Sequence, residues 1–61
     1  MESIKNTIMK RDGLNSDEAD SLIAEAQKDF DYCIATGDLK MAEEICLNWF
    51  GLEPDYLVEL F

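Results

Sequence analysis

Apolar side chains recur along this chain at steps of three and four residues, and the recurrence breaks at Gly13, Gly37 and Gly51. That period marks helices with one buried stripe, and glycine is the residue that most often closes one. Ile4 and Ile8 lie one turn apart, with Lys10 and Arg11 where cations favour a helix C-terminus, which predicts a first helix over about residues 3–11. Asn15 or Ser16 can cap the second. Glu18 stands three residues after Asn15, as a capping box requires, and Asp17 and Glu18 suit the positive end of the helix dipole. Ala19, Leu22, Ile23, Ala26, Phe30, Cys33 and Ile34 then share one stripe as far as Thr36, a helix of about 20 residues and roughly 30 Å.

Asp38 directly follows Gly37 and caps a predicted third helix, on which Leu39, Ala42, Ile45, Cys46, Trp49 and Phe50 repeat at helical spacing. Helices two and three should therefore form a hairpin. Pro54 and Asp55 suit the first turn of a last helix, from which Leu57, Leu60 and Phe61 point back at the body. No strand alternation, internal repeat or low-complexity segment occurs. The expectation is one all-α domain over residues 1–61, a small bundle of three to four short helices with a helix two/helix three hairpin.

Composition bounds this picture. A chain of 61 residues buries only about 60% of the surface its unfolded form exposes, so the core must be efficient. With 48% hydrophobic residues it should fold in spite of a net charge of -9. No apolar run approaches the roughly 20 residues of a membrane span, and no charged segment precedes an apolar one as in a signal peptide. The expected location is the cytoplasm, with reduced thiols at Cys33 and Cys46.

The charge is unevenly placed. Up to Arg11 the balance is +2, from Lys5, Lys10 and Arg11 against Glu2; from Asp12 onward thirteen acids face only Lys28 and Lys40, a balance of -11. Such a body repels phosphate backbones and lipid headgroups and attracts cationic surfaces, which disfavours direct nucleic-acid or membrane binding. A turn at Gly51 between two helices has the outline of a helix-turn-helix. Its second helix, however, would present Asp55 and Glu59 to DNA, leaving only Lys5, Lys10 and Arg11 as contacts.

Catalytic signals are missing. The chain has no histidine, the commonest general base and metal ligand, and Ser3, Ser16 and Ser21 have no base to activate them. No nucleotide-binding glycine run or nucleophile elbow occurs. Asp29 and Asp31 begin like a calcium loop, but Cys33 stands where the next oxygen ligand belongs. Cys33 and Cys46 have no second pair to complete a zinc site and read as core residues. A non-enzymatic domain without metal or cofactor is expected.

Two surfaces remain as candidates for binding. One is acidic: Asp17, Asp20, Glu25, Asp29 and Asp31 on helix two, with Asp38, Glu43 and Glu44 beyond. Carboxylates four residues apart, such as Glu25 and Asp29, lie about 6 Å apart along a helix, comparable to phosphates on one nucleic-acid strand. The bland alternative is a solvated face that keeps the chain soluble. The other surface is apolar, Tyr32, Trp49, Tyr56 and Phe61, although a domain this small also needs such residues for packing.

The run Met9-Lys-Arg-Asp-Gly13, the segment Asp17-Glu-Ala-Asp20 and the closing Trp49-Phe-Gly-Leu-Glu-Pro-Asp-Tyr-Leu57 resemble a family of very small acidic helical proteins encoded by bacteriophages, prophages and mobile elements. The resemblance covers nearly the whole chain and implies a place inside a bacterial host cell and a role in phage–host conflict rather than a catalytic activity. By analogy of type, an inhibitor of a host nucleic-acid-binding protein or nuclease, of the anti-CRISPR or anti-restriction kind, is expected to act through a DNA-mimic-like acidic face on a cationic protein surface. The alternative is an interaction module or homodimer that uses the C-terminal aromatic residues without mimicry.

Overall fold

The computed structural model describes residues 2–61, and all of its regular structure is helical. Helix α1 spans Ile4–Asp12, α2 Ser16–Thr36, α3 Leu39–Glu43 and α4 Ile45–Phe50, and a 3₁₀ helix follows over Pro54–Glu59. The all-α class and the hairpin at Gly37 are as expected, but there are five helical segments rather than three or four.

Local chemistry sets most boundaries. Ser3 caps α1 by accepting the Asn6 N–H at 3.1 Å. At α2 the capping box is complete: the Asn15 side chain accepts from the Glu18 N–H at 2.8 Å, and the Glu18 carboxylate accepts from the Asn15 N–H at 3.0 Å. The far end closes on Gly37, whose φ of 79° suits a residue without a Cβ. There the Gly37 N–H donates to the Ile34 carbonyl at 3.2 Å and the Asp38 N–H to that of Cys33 at 2.8 Å, the paired bonds of a Schellman ending. Asp38 at once caps α3 through the Met41 N–H at 3.2 Å, so a single turn ends one helix and starts the next.

The predicted third helix is interrupted. Glu44 takes φ -94° and ψ 0°, and its N–H bonds back three residues to Met41, tightening one turn before α4 resumes. The segment after Pro54 winds as a 3₁₀ helix, with Tyr56 N–H on the Glu53 carbonyl and Leu60 N–H on that of Leu57.

Helix α2 is the spine: α1, α3 and α4 pack against it, and the 3₁₀ segment packs against α4. Its 21 residues span about 32 Å, matching the 33 Å long axis of the molecule. Its fully buried Ala19 and Ala26 are small, which lets the packed helices approach closely. The core adds Ile4 and Ile8 from α1, Phe30 and Cys33 from α2, and Ala42, Ile45, Cys46 and Phe50 from α3 and α4. Leu52 and Leu60 complete it. Leu22 and Ile23 of the predicted stripe are half-buried, whereas Ile34 and Leu39 are exposed.

Three bonds between distant parts of the chain tie this layout together. Both Glu59 oxygens accept from the Ile4 N–H, at 3.0 and 3.2 Å, so a residue 55 positions away caps α1. The Gln27 amide donates to the Leu60 carbonyl at 2.8 Å, and the Trp49 indole N–H to Asp29 at 2.9 Å. A nine-residue helix is too short to persist alone, so α1 depends on this cap and on burying Ile4 and Ile8, each worth roughly 1.5–3 kcal/mol. Glu59→Ala is therefore expected to lower stability by about 1 kcal/mol, seen as a melting temperature about 4–8 °C lower. An unchanged melting temperature would mean that the long-range cap contributes nothing.

Candidate functional surface

The acidic residues divide by what their carboxylates touch. Asp20 pairs with Lys5 at 3.0 Å, Asp29 accepts the Trp49 indole N–H, Asp31 accepts the Gln27 amide at 3.0 Å, and Asp38 caps α3. Asp17, Glu25, Glu43 and Glu44 make no side-chain hydrogen bond or ion pair with any described residue, and neither do Glu53 and Asp55. At about 100° per residue, Asp17, Asp20 and Asp31 fall on one flank of α2 and Glu25 and Asp29 on the other. The helix thus carries two acidic flanks and no single row of evenly spaced charges. Asp29 is half-buried beneath Trp49.

The basic N-terminal segment is neutralised internally. Lys5 is held by Asp20, Lys10 pairs with Glu2, and Arg11 grips Asp12 through two parallel bonds of 3.0 and 2.9 Å. That hydrogen bonding lowers the Asp12 pKa and raises that of Arg11, against a smaller opposing effect of desolvation. Each basic side chain of this segment is thus held in a surface ion pair.

The four aromatic candidates also divide. Trp49 and Tyr56 are half-buried and belong largely to the packing, while Tyr32 is exposed and Phe61 is 85% exposed. Phe61 still touches the body: its ring meets Phe30 edge-on, with centroids 5.2 Å apart and planes at 88°. Beside this contact lies an open groove of about 200 Å³, lined by Phe30, Ile34, Leu39, Ala42, Leu57 and Phe61, with Glu43 as its one charged residue. The periodicity assigns Ile34 and Leu39 to the core stripe. They flank the Gly37 turn, where the hairpin ends and no further helix covers them, and a large apolar residue on each side of a helix-closing glycine is the signal that could have revealed it.

Comparison with known proteins finds no matching family model, no similar curated protein and no similar solved structure. No helix among the described residues is long and apolar enough to cross a membrane, and no group of three or more potential metal ligands gathers among them.

Cys33 and Cys46 are free and buried. Burial pushes both thiols above their ordinary pKa, with Asp29 and Asp38 adding to this at Cys33 and Glu59 at Cys46. Both are thus neutral and shielded near pH 7, and a disulfide-exchange reagent should label the folded chain far more slowly than the urea-unfolded one. The stability contributed by the neutral thiols is complete below the ordinary thiol pKa and is lost as pH rises past it, so the urea midpoint should fall above about pH 8.5. Rapid labelling of the folded chain would contradict this reading.

Proposed function

We propose that this chain is a non-enzymatic protein-binding domain, of phage or mobile-element type, that engages a cationic surface of a host protein through its outward carboxylates. The observation that carries this reading is the set Asp17, Glu25, Glu43 and Glu44. None of them is neutralised by a described partner, in a body whose other cations are only Lys28 and Lys40. Carboxylates already bonded to helix N–H groups or to lysine offer little to a partner; those four are not taken up in this way and contribute long-range steering. Proteins that handle nucleic acids carry clustered lysine and arginine for phosphate backbones, and they are the natural class of target, whether the outcome is inhibition or modulation. Binding occurs by charge and local shape, because the α2 carboxylates lie on two flanks and three of them, Asp20, Asp29 and Asp31, are engaged internally.

A second reading, apolar assembly including a homodimer, draws support from exposed Tyr32 and Phe61. Two copies would bring -9 against -9, which weighs against it.

The test is affinity capture from a bacterial lysate, using the parent chain and a variant with Asp17→Asn, Glu25→Gln, Glu43→Gln and Glu44→Gln, with washes at about 0.1 M and about 1 M salt. The parent is expected to retain basic proteins at low salt and release them at high salt, while the variant retains few. Equal capture by both would overturn the proposal.

A further inference from the structure

We infer that the groove beside Phe61 is the docking point for one apolar side chain of a basic amphipathic helix on the partner protein. This inference rests on the reading of the domain as a binder of cationic protein surfaces.

The groove has the wrong size and lining for small-molecule chemistry. Its volume of about 200 Å³ falls below the roughly 300–1,000 Å³ usual for small-ligand pockets, but a cavity of about 150 Å³ is enough for a benzene ring. One leucine or aromatic side chain fits. The walls are apolar on every element that contributes: Phe30 and Ile34 from α2, Leu39 and Ala42 from α3, and Leu57 and Phe61 from the C-terminal segment. Three of these walls lie open to solvent, Ile34 at 44%, Leu39 at 61% and Phe61 at 85% exposure. An exposed apolar lining around a concavity is the form of a helix-in-groove site, in which anchor residues of an amphipathic helix enter while its polar face stays outside.

Charge complementarity identifies the occupant. Glu43 lines the groove itself, and Asp31 accepts from the same Gln27 amide that donates to the carbonyl of Leu60, the residue before Phe61. A carboxylate of α3 thus borders the apolar opening, and the field of the whole body is negative. A helix with lysine or arginine flanking its apolar anchor meets attraction along its whole approach, whereas a second copy of this chain or an acidic helix meets repulsion. Area points the same way. A stable interface covers about 800 Å² of each partner, about one fifth of the 4005 Å² surface of this chain. Such coverage extends well past the groove and onto the carboxylates around it.

The test uses the full chain and three synthetic peptides of about five helical turns. The first has leucine on one face and lysine on the other, the second is a scrambled peptide of the same composition, and the third replaces the lysines with glutamate. Binding is followed by calorimetry and by NMR shift mapping on the parent, on Leu39→Gln and on Phe61→Ser, with circular dichroism to verify that each variant is folded. Both side chains are exposed, so either substitution should leave the fold intact. The amphipathic basic peptide is expected to shift resonances of Ile34, Leu39 and Leu57 and to bind each variant about tenfold more weakly, while the scrambled peptide binds all three chains alike. Unchanged affinity of the first peptide for both variants would overturn the groove assignment and leave the charge-based reading standing. Failure of every basic peptide to bind the parent at low salt would overturn both. Tight binding of the acidic peptide, or a dimer in sedimentation whose contacts map to the groove, would replace the basic helix with another occupant and so overturn the assignment.

Discussion

Everything in this small fold depends on where its carboxylates find hydrogen. Fourteen acids face five lysines and arginines, so ion pairing alone leaves most of them unneutralised. Backbone and side-chain N–H groups take up part of the remainder. Glu18 and Asp38 bond the first turns of α2 and α3, Glu59 reaches across the molecule to the first N–H of α1, and Asp29 receives the indole of Trp49. A helix N-terminus presents unpaired donors and a partial positive charge, which makes it a good substitute for a cation. Five short helical segments supply many such ends, and an acidic composition suits them.

The same division explains what is left for a partner. Once helix caps, lysine pairs and the tryptophan contact are satisfied, Asp17, Glu25 and Glu43 remain exposed. Half-buried Glu44 stays unbonded among the described residues, as do Glu53 and Asp55, while Lys5, Lys10 and Arg11 are each held in a surface ion pair. The apolar surface divides in a similar way. Phe30 is buried, but the residues around it at the end of the hairpin form a groove that the chain itself leaves uncovered. Acid and apolar surface therefore meet at one end of the molecule, where Glu43 belongs to both.

How much of this could be read along the chain follows from the range of the forces involved. Caps and closing glycines are local, and the signals at Asn15, Glu18, Gly37 and Asp38 lie within a few residues of the boundaries they set. The stripe through Ala19, Ala26, Phe30 and Cys33 was equally plain. The break at Glu44 was hidden, because Ala42, Ile45, Cys46, Trp49 and Phe50 keep helical spacing across it. Bonds spanning 55, 33 and 20 positions, from Ile4 to Glu59, Gln27 to Leu60 and Trp49 to Asp29, leave no mark in a local pattern. For that reason only the fold separates acidic residues that hold the structure from those left unbonded. The groove is not legible in the periodicity because Ile34 and Leu39 have core spacing but lie exposed on either side of the Gly37 turn.

The division of the acids is tested most directly by urea denaturation of two variants with the same change in net charge. One replaces Glu18, Asp29, Asp38 and Glu59 with alanine; the other does the same at Asp17, Glu25, Glu43 and Glu44. The first should lose about 1 kcal/mol for each lost bond, a large part of the roughly 5–15 kcal/mol that holds a domain together. The second should stay close to the parent in stability, since its removed carboxylates hold no hydrogen bond with a described residue and the dipole contribution of Asp17 in the first turn of α2 is offset by relief of repulsion elsewhere. Equal destabilisation of the two variants would contradict the account.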